Sequence, residues 1–372
     1  MATKVFNSVT DQSPSDSKPI QPNPTDSNHS QTTTMPRVMG IDFAPWTLPL
    51  KRRLQTATIV WFTADFLVTG LFALSLLTYL LWTRWFWVTC LYIVWWVADK
   101  QSCNQGGRRR CWIRWSPMYK LFRDYFPISL IKTSELDPSR NYIFGVHPHG
   151  VLCFGTFCNF ATEATGFSKL FPGLRPRLLT LEENFYLPFH REMTLWHGVC
   201  AATKHGMEWL LNNEGQGNAL VLVVGGARES LDAVPGKMAL TLENRKGFVK
   251  IALKNGADLV PVINFGENEV YYMEDRPESN SVRQFQKKFL NAAGFAPPLF
   301  YGRGIFQYTF GLLPFRKPIV SVVGKAIEVV KTPNPTQDQI LELHKKYTDA
   351  VVALYNDHKD KYGFANVPIS IN

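Results

Sequence analysis

The sequence predicts a mixed α/β domain carried on an N-terminal transmembrane helical hairpin. Three observations lead there. A strongly apolar block runs from Leu54 to Ala98, short strand-like runs of β-branched and aromatic residues recur beyond residue 112, and helical apolar periodicity lies between and after those runs. At 372 residues the chain has room for two ordinary domains or for one large domain with an attached anchor.

Residues 1 to about 40 are rich in Ser, Thr, Pro, Gln and Asn, with too few large apolar side chains to offset the entropy of ordering. They read as a disordered polar tail. The apolar block, residues 54–98, is interrupted only by Asp65 and Arg84. Phe66 to Thr83 is an uncharged run of 18 residues, near the length that spans a hydrocarbon core. Trp85 to Ala98 is a second uncharged run of 14, which predicts a tight helical hairpin or one span followed by a re-entrant segment. Trp61, Trp82, Trp85, Trp87, Trp95 and Trp96 gather towards the ends of these runs, as interfacial aromatics do. Lys51, Arg52 and Arg53 precede the block and Arg108, Arg109 and Arg110 follow it, so both ends are expected on the cytosolic side. The competing reading is a pair of buried core helices in a soluble protein.

Residues 112–372 read as the α/β domain. Tyr142 to Val146 is a strand-like run that ends in His147-Pro148-His149-Gly150, and so delivers two imidazoles to the carboxyl end of a strand, where open α/β sheets keep their chemistry. Gly150 lets the backbone approach a substrate, and Val151 to Ala164 can open a helix whose free N–H groups face the same place. Imidazole titrates near neutrality, so a positioned His can take a proton from an attacking hydroxyl. Structural packing of the two rings and metal chelation by His-x-His are the alternatives at this stage.

Leu220 to Val224 forms a second strand-like run, followed by Gly225-Gly226-Ala227-Arg228-Glu229-Ser230, which places backbone donors and a charged pair at another strand end. Arg245, Lys246, Lys250 and Lys254 mark a basic helix closed by Gly256; its face is either solvated or directed at phosphates or lipid headgroups. Leu259 to Ile263 and Ile319 to Val323 are further strand-like runs. Ile340, Leu343, Tyr347, Val351 and Leu354 recur at helical spacing, predicting an amphipathic helix over about 336–361. The net charge of +10 suits an anionic membrane or a phosphate-bearing cosubstrate, and no nucleic-acid motif accompanies it. The six cysteines show no metal or disulfide spacing and read as reduced thiols.

Together these blocks resemble the family of type 2 diacylglycerol acyltransferases, which also holds monoacylglycerol and wax-alcohol acyltransferases. The matching stretches are Tyr125-Phe126-Pro127, His147-Pro148-His149-Gly150, Gly225 to Ser230, Arg245 to Glu267, and Tyr301-Gly302-Arg303-Gly304 where the family has His-Gly-Arg-Gly. The likeness covers roughly residues 41 to 365. Phe43-Ala-Pro-Trp, Lys51-Arg-Arg-Leu-Gln-Thr and Gln307-Tyr-Thr-Phe-Gly-Leu-Leu-Pro lean towards the monoacylglycerol branch, and the long tail towards the diacylglycerol branch.

The resemblance implies a fold akin to the glycerol-phosphate acyltransferases and transfer of an acyl chain from acyl-CoA to an acylglycerol hydroxyl. It places the protein at the endoplasmic reticulum membrane and lipid droplets. Acyl-CoA would be a cosubstrate, with no metal or other cofactor, since a thioester is already activated; self-association is left open. Those distant relatives use His-x-x-x-x-Asp, but no acid stands four or five residues after either His here, so an orienting carboxylate must come from elsewhere: Glu229 first, then Glu163 or Glu267. His149 is expected as base, His147 as a support for the turn or the second substrate, and Gly150, Gly225 and Gly226 as oxyanion donors. Tyr125, Phe126, Pro127, Arg228, Arg245, Lys246, Lys250, Glu267 and Arg303 are expected to bind substrate. Cys153 and Cys158 offer a covalent alternative. A wax synthase, a non-catalytic lipid-binding protein and a metal-dependent lipid hydrolase are the remaining readings.

Overall fold

A computed structural model describes residues 37–277, 279–294 and 298–372. The predicted tail, up to residue 36, lies outside them. From Leu50 the chain is helical to Leu80: α1 (Leu50–Ala64) passes through a single π turn at Asp65–Thr69 into α2 (Gly70–Leu80). This 31-residue stretch is the one helix among the described residues long and apolar enough to cross a membrane. The chain then turns, and α3 (Phe86–Ala98) packs back on α2, with the Thr89 hydroxyl donating to the Leu77 carbonyl at 2.8 Å. Most large side chains of α2 and α3 are exposed. By contrast, α1 buries Gln55, Thr56, Ile59 and Thr63 against the domain, chiefly against α4 (Met118–Tyr125), where Phe62 meets Phe122.

The domain is built on a seven-stranded sheet. Its strands are β1 (Ile128–Lys132), β2 (Tyr142–His147), β3 (Arg175–Thr180), β4 (Cys200–Ala201), β5 (Asn218–Val223), β6 (Asp258–Phe265) and β7 (Ile319–Val323). The spatial order is β1-β7-β6-β2-β5-β3-β4. Neighbours are parallel throughout, except that β7 runs antiparallel to β6. This is the predicted mixed sheet, with a parallel centre.

Because alternate strand residues face opposite sides, the sheet has two apolar faces. Ile143, Leu220, Leu259 and Val322 pack under α5 (Lys204–Asn213), α6 (Gly247–Asn255) and α7 (Gln337–His358). Phe144, Val146, Val221 and Val260 pack against Phe160, Phe167 and Phe171 on the other side. Both predicted helices form, but the basic one starts at Gly247, so Arg245 and Lys246 precede it rather than lie on it. Gly256 closes α6 in the left-handed conformation, and Thr336 opens α7 with a capping box to Gln339.

Strands β1, β3 and β4 were not legible in the sequence. In β3 the apolar pattern is broken by Arg177, which is buried as the partner of Glu214. The helix expected from Val151 begins only at Phe154, because Cys153 takes a left-handed conformation and turns the chain first. It continues as a π turn over Phe157–Ala161.

Candidate active site

Strands β5, β2 and β6 lie side by side and run the same way, with Val146 opposite both Val223 and Val262. Their carboxyl ends therefore share one edge, and three stretches far apart in sequence meet there: His147 to Gly150, Gly225 to Glu229, and Gly266 with Glu267. Strand β7, running oppositely, starts at the same edge with Ile319.

The two imidazoles differ in environment. His149 is half-buried, and its Nδ1 lies 3.0 Å from the Gly150 carbonyl. A carbonyl only accepts, so Nδ1 carries the proton and Nε2 keeps its lone pair. Burial lowers the pKa of this ring below the usual histidine value, so it is neutral at pH 7. His147 is wholly buried. Its Nε2 lies 3.0 Å from the hydroxyl of Tyr347 on α7, and that hydroxyl donates to the Gly145 carbonyl at 3.0 Å. Nε2 is therefore the donor, and the buried Nδ1 has no partner among the described residues. Burial pushes the pKa of His147 down to about 3. Tyr347 can reach this point because residue 145 is glycine; a Cβ there would stand 1.9 Å from the tyrosine oxygen.

Glu229 does not touch the His149 ring. Its Oε1 accepts the main-chain N–H of His149 at 2.6 Å, and its Oε2 accepts that of Thr241 at 3.0 Å. The expectation of an imidazole oriented by this carboxylate is thus corrected to a carboxylate that ties down the turn backbone, since two amides already occupy its oxygens. Burial pushes its pKa up to about 7. Gly225 gives it room, because a Cβ there would lie 1.8 Å from Oε2. Gly226 has open space around it and a φ of +59°.

Of the two reserve carboxylates, one lies away from this edge and the other at it. Glu163 pairs with the buried Arg114 and bonds Ser168. Glu267 lies at the sheet edge, wholly buried, with Oε2 accepting the Gly155 amide at 2.9 Å. The helix after the turn is pinned to the sheet by a buried polar chain: Asn159 Nδ2 to Ser321 at 2.6 Å, Ser321 to Asn264 Oδ1 at 2.6 Å, and Asn264 Nδ2 to Thr156 at 2.8 Å.

Of the remaining predicted residues, Arg228, Arg245 and Lys250 are exposed and Lys246 is half-buried. None makes an ion pair among the described residues, and Arg245 donates to the Gly225 carbonyl at 3.1 Å. Tyr125 and Phe126 are buried in the core rather than open to a ligand: the Tyr125 hydroxyl donates to Pro314 O at 2.6 Å, its ring lies under Arg316 at 4.0 Å, and Phe126 packs on Phe154 at 4.8 Å. Pro127 follows at the entry to β1. Arg303 is buried over the Tyr308 ring at 4.5 Å. These motif residues join the loop at 300–316 and α1 to the domain, and the structure does not bring them to His149. No group of three or more His, Cys, Asp and Glu is arranged to hold a metal among the described residues. Thr241 and Gly145 were missed by the sequence reading, and Tyr347 was read only as a packing residue.

The profile of a family described as diacylglycerol acyltransferase matches residues 78–370. The chain belongs to that family. It is 48% identical over 322 residues to diacylglycerol O-acyltransferase 2 of Danio rerio, covering 86% of this chain and 89% of the relative. It is equally 48% identical over 325 residues to 2-acylglycerol O-acyltransferase 1 of Bos taurus, covering 87% of this chain and 97% of the relative. Diacylglycerol O-acyltransferase 2 of Homo sapiens is 46% identical over 321 residues, 86% of this chain and 83% of that one. Family members so named are acylglycerol acyltransferase enzymes. Among solved structures, a 1-acyl-sn-glycerophosphate acyltransferase from Thermotoga maritima superposes over 82% of this chain and 95% of its own at a TM-score of 0.38 and 12% identity, too loosely to establish a shared fold.

Proposed function

We propose that this acyltransferase moves a fatty acyl group from acyl-CoA to the hydroxyl of an acylglycerol, converting monoacylglycerol to diacylglycerol, diacylglycerol to triacylglycerol, or both. His149 is the general base. The observation that carries this is the neutral, half-buried His149 ring, protonated on Nδ1 towards Gly150 and basic on Nε2, at the edge where three motifs meet.

Nε2 takes the hydroxyl proton as the acceptor oxygen attacks the thioester carbonyl. The negative charge that develops on the carbonyl oxygen is received by backbone N–H groups at Gly150 or Gly225-Gly226. Collapse of the tetrahedral species breaks the carbon–sulfur bond, and the leaving CoA thiolate takes the proton back from the imidazolium. His147, held by Tyr347, supports the strand end. A covalent route through cysteine is disfavoured, since burial pushes the Cys158 thiol up to about 12 and that of Cys153 well above its usual value.

The helical hairpin serves the lipid substrates. Its base at α1 rests on the domain, and Phe66 and Gly70 still pack on His190 and Leu187, leaving Leu71 to Leu80 as an arm about 15 Å long, shorter than a hydrocarbon core of about 30 Å. The second arm returns to the domain, where Trp96 Nε1 approaches the Phe185 carbonyl at 3.4 Å. Both arms thus leave and rejoin one side, which supports a hairpin embedded from the cytosolic face of the endoplasmic reticulum, and of lipid droplets. The cations Arg228, Arg245, Lys246 and Lys250, which make no ion pair among the described residues, supply a surface for the CoA phosphates.

The test is CoA release by the purified, detergent-solubilised protein given oleoyl-CoA with monoacylglycerol, diacylglycerol or a long-chain alcohol, beside His149→Ala. Acceptor-dependent release that vanishes in the variant is the expected result and names the acceptor; release with the alcohol alone would identify a wax synthase. No release from protein that still binds lipid would replace the reading with a lipid-binding protein.

A further inference from the structure

Glu267 is the buried carboxylate at this edge that the reaction scheme leaves unused. It follows Gly266, whose φ of +87° and close approach to Pro318, with a Cβ position 2.1 Å from the carbonyl oxygen, turn the chain sharply out of β6. The side chain then enters the gap between two glycines of the catalytic turn. A Cβ on Gly150 would stand 2.6 Å from Glu267 Cγ, and one on Gly155 would stand 2.7 Å from Oε2. Oε2 accepts the Gly155 amide, while Oε1 is buried with no hydrogen-bond partner among the described residues. The carboxyl therefore underlies the whole segment from Gly150 to Gly155, immediately after His149.

We propose that Glu267 is a positioning residue for acyl transfer, acting through the Gly150–Gly155 backbone that presents His149 rather than on the substrate. This rests on the reading of His149 as base. The groups facing Glu267 are the thiols of Cys153 in the turn and Cys158 on the following helix, with Glu229 beyond Cys153; Ile319 of β7 contributes only aliphatic carbon. No cation pairs with the carboxyl among the described residues, and burial pushes its pKa up to about 8. At pH 7 it is a neutral acid, one oxygen accepting an amide and the other holding the proton. Loss of that proton leaves an unpaired charge in the interior, and the turn must shift to admit water to it. Acyl transfer then falls with a one-proton alkaline limb that does not belong to the histidine base, whose own titration only gains activity as pH rises.

The experiment follows kcat and KM for acyl-CoA from about pH 6 to about pH 10 in the full-length detergent-solubilised protein. The wild type is expected to lose kcat above about pH 8. Glu267→Gln, neutral and of the same shape, keeps activity at pH 7 and loses the alkaline limb. Glu267→Ala lowers kcat on the order of 100-fold, the effect of a small misplacement of the base, with KM unchanged. Glu267→Asp, too short to underlie the turn but still titratable, lowers kcat and keeps the limb. A limb that survives in Glu267→Gln, or wild-type kcat in Glu267→Ala, overturns the proposal. Thermal midpoints over the same pH range give a reading independent of turnover: a fall through about pH 8 in wild type that is missing in Glu267→Gln supports it, and parallel curves overturn it. An active wild type, a dead His149→Ala and an indifferent Glu267→Ala would sink this role alone, whereas no CoA release from wild type would sink the acyl-transfer reading with it.

Discussion

Glu229 accepts the main-chain N–H of His149 at 2.6 Å, so the carboxylate steadies the backbone of the turn from His147 to Gly150 and leaves the imidazole free. Its second oxygen takes the Thr241 amide, which ties the turn to the segment leading into α6. Glu229→Gln keeps one acceptor oxygen and turns an NH₂ group towards the other amide. It is expected to cost about 1–3 kcal/mol of stability, the range for a buried donor left without a partner. Chemical denaturation measures that loss, and a fall in kcat with KM unchanged would accompany it; an unchanged kcat would show that the turn does not need this tether.

The two histidines should separate cleanly. His149→Ala is expected to lower kcat by about 10²- to 10⁴-fold, the usual contribution of a positioned base, with little change in thermal midpoint because the ring is half-buried and bonds only its neighbour. His147→Ala opens a cavity and strips the Tyr347 hydroxyl of a donor, so it should lower stability by about 2–5 kcal/mol. Melting curves and steady-state kinetics on both variants decide the assignment. A stable but inactive His147→Ala beside an active His149→Ala would reverse it.

Stability should depend on pH with a definite sign. His147 and His197 are neutral when folded, their pKa values pushed down by burial to about 3 and about 4, so unfolding takes up protons below the ordinary histidine range and folded stability rises with pH up to about 6.5. Glu229 and Glu267, raised by burial to about 7 and about 8, hold protons that the unfolded chain releases near its ordinary value, so their contribution falls as pH rises to those values. Between about pH 6.5 and about pH 8 the two carboxyls dominate and the thermal midpoint should decline; the thiols of Cys153 and Cys158, raised by burial, extend the decline at higher pH. Differential scanning fluorimetry across that range checks it; a midpoint still rising at pH 8 would contradict the burial of these two acids.

Neutralising Arg245, Lys246 and Lys250 together should raise KM for acyl-CoA and flatten its dependence on salt, since these cations make no ion pair among the described residues. Screening weakens such contacts over about 10 Å at about 0.1 M salt. Unchanged KM with unchanged salt dependence would move the CoA phosphates elsewhere.

Much of this site was legible because strand ends announce themselves. Runs such as Tyr142–Val146 and Leu220–Val224 end in polar and glycine residues, and parallel pairing of β2, β5 and β6 brings those ends to one edge. The supports were not legible. Tyr347 lies 200 positions from His147, and nothing local to α7 distinguishes a tyrosine that packs from one whose hydroxyl closes a strand end. Gly145 likewise read as an ordinary strand residue, although its missing Cβ admits that hydroxyl. Tyr125, Phe126 and Arg303 read as ligand contacts because of their place in motifs, but aromatic stacking and buried cations also serve to join elements, and burial decides between the two.

The dependence of the His147 strand end on Tyr347 sets an order for biosynthesis. The apolar helices α1 to α3 emerge from the ribosome early, while most of the domain is still untranslated. The turn at His149 lacks β7 until Ile319–Val323 has been made, and the strand end before it lacks its hydroxyl support until α7 follows. A chain interrupted between these points would carry its apolar helices without a finished strand end at His147.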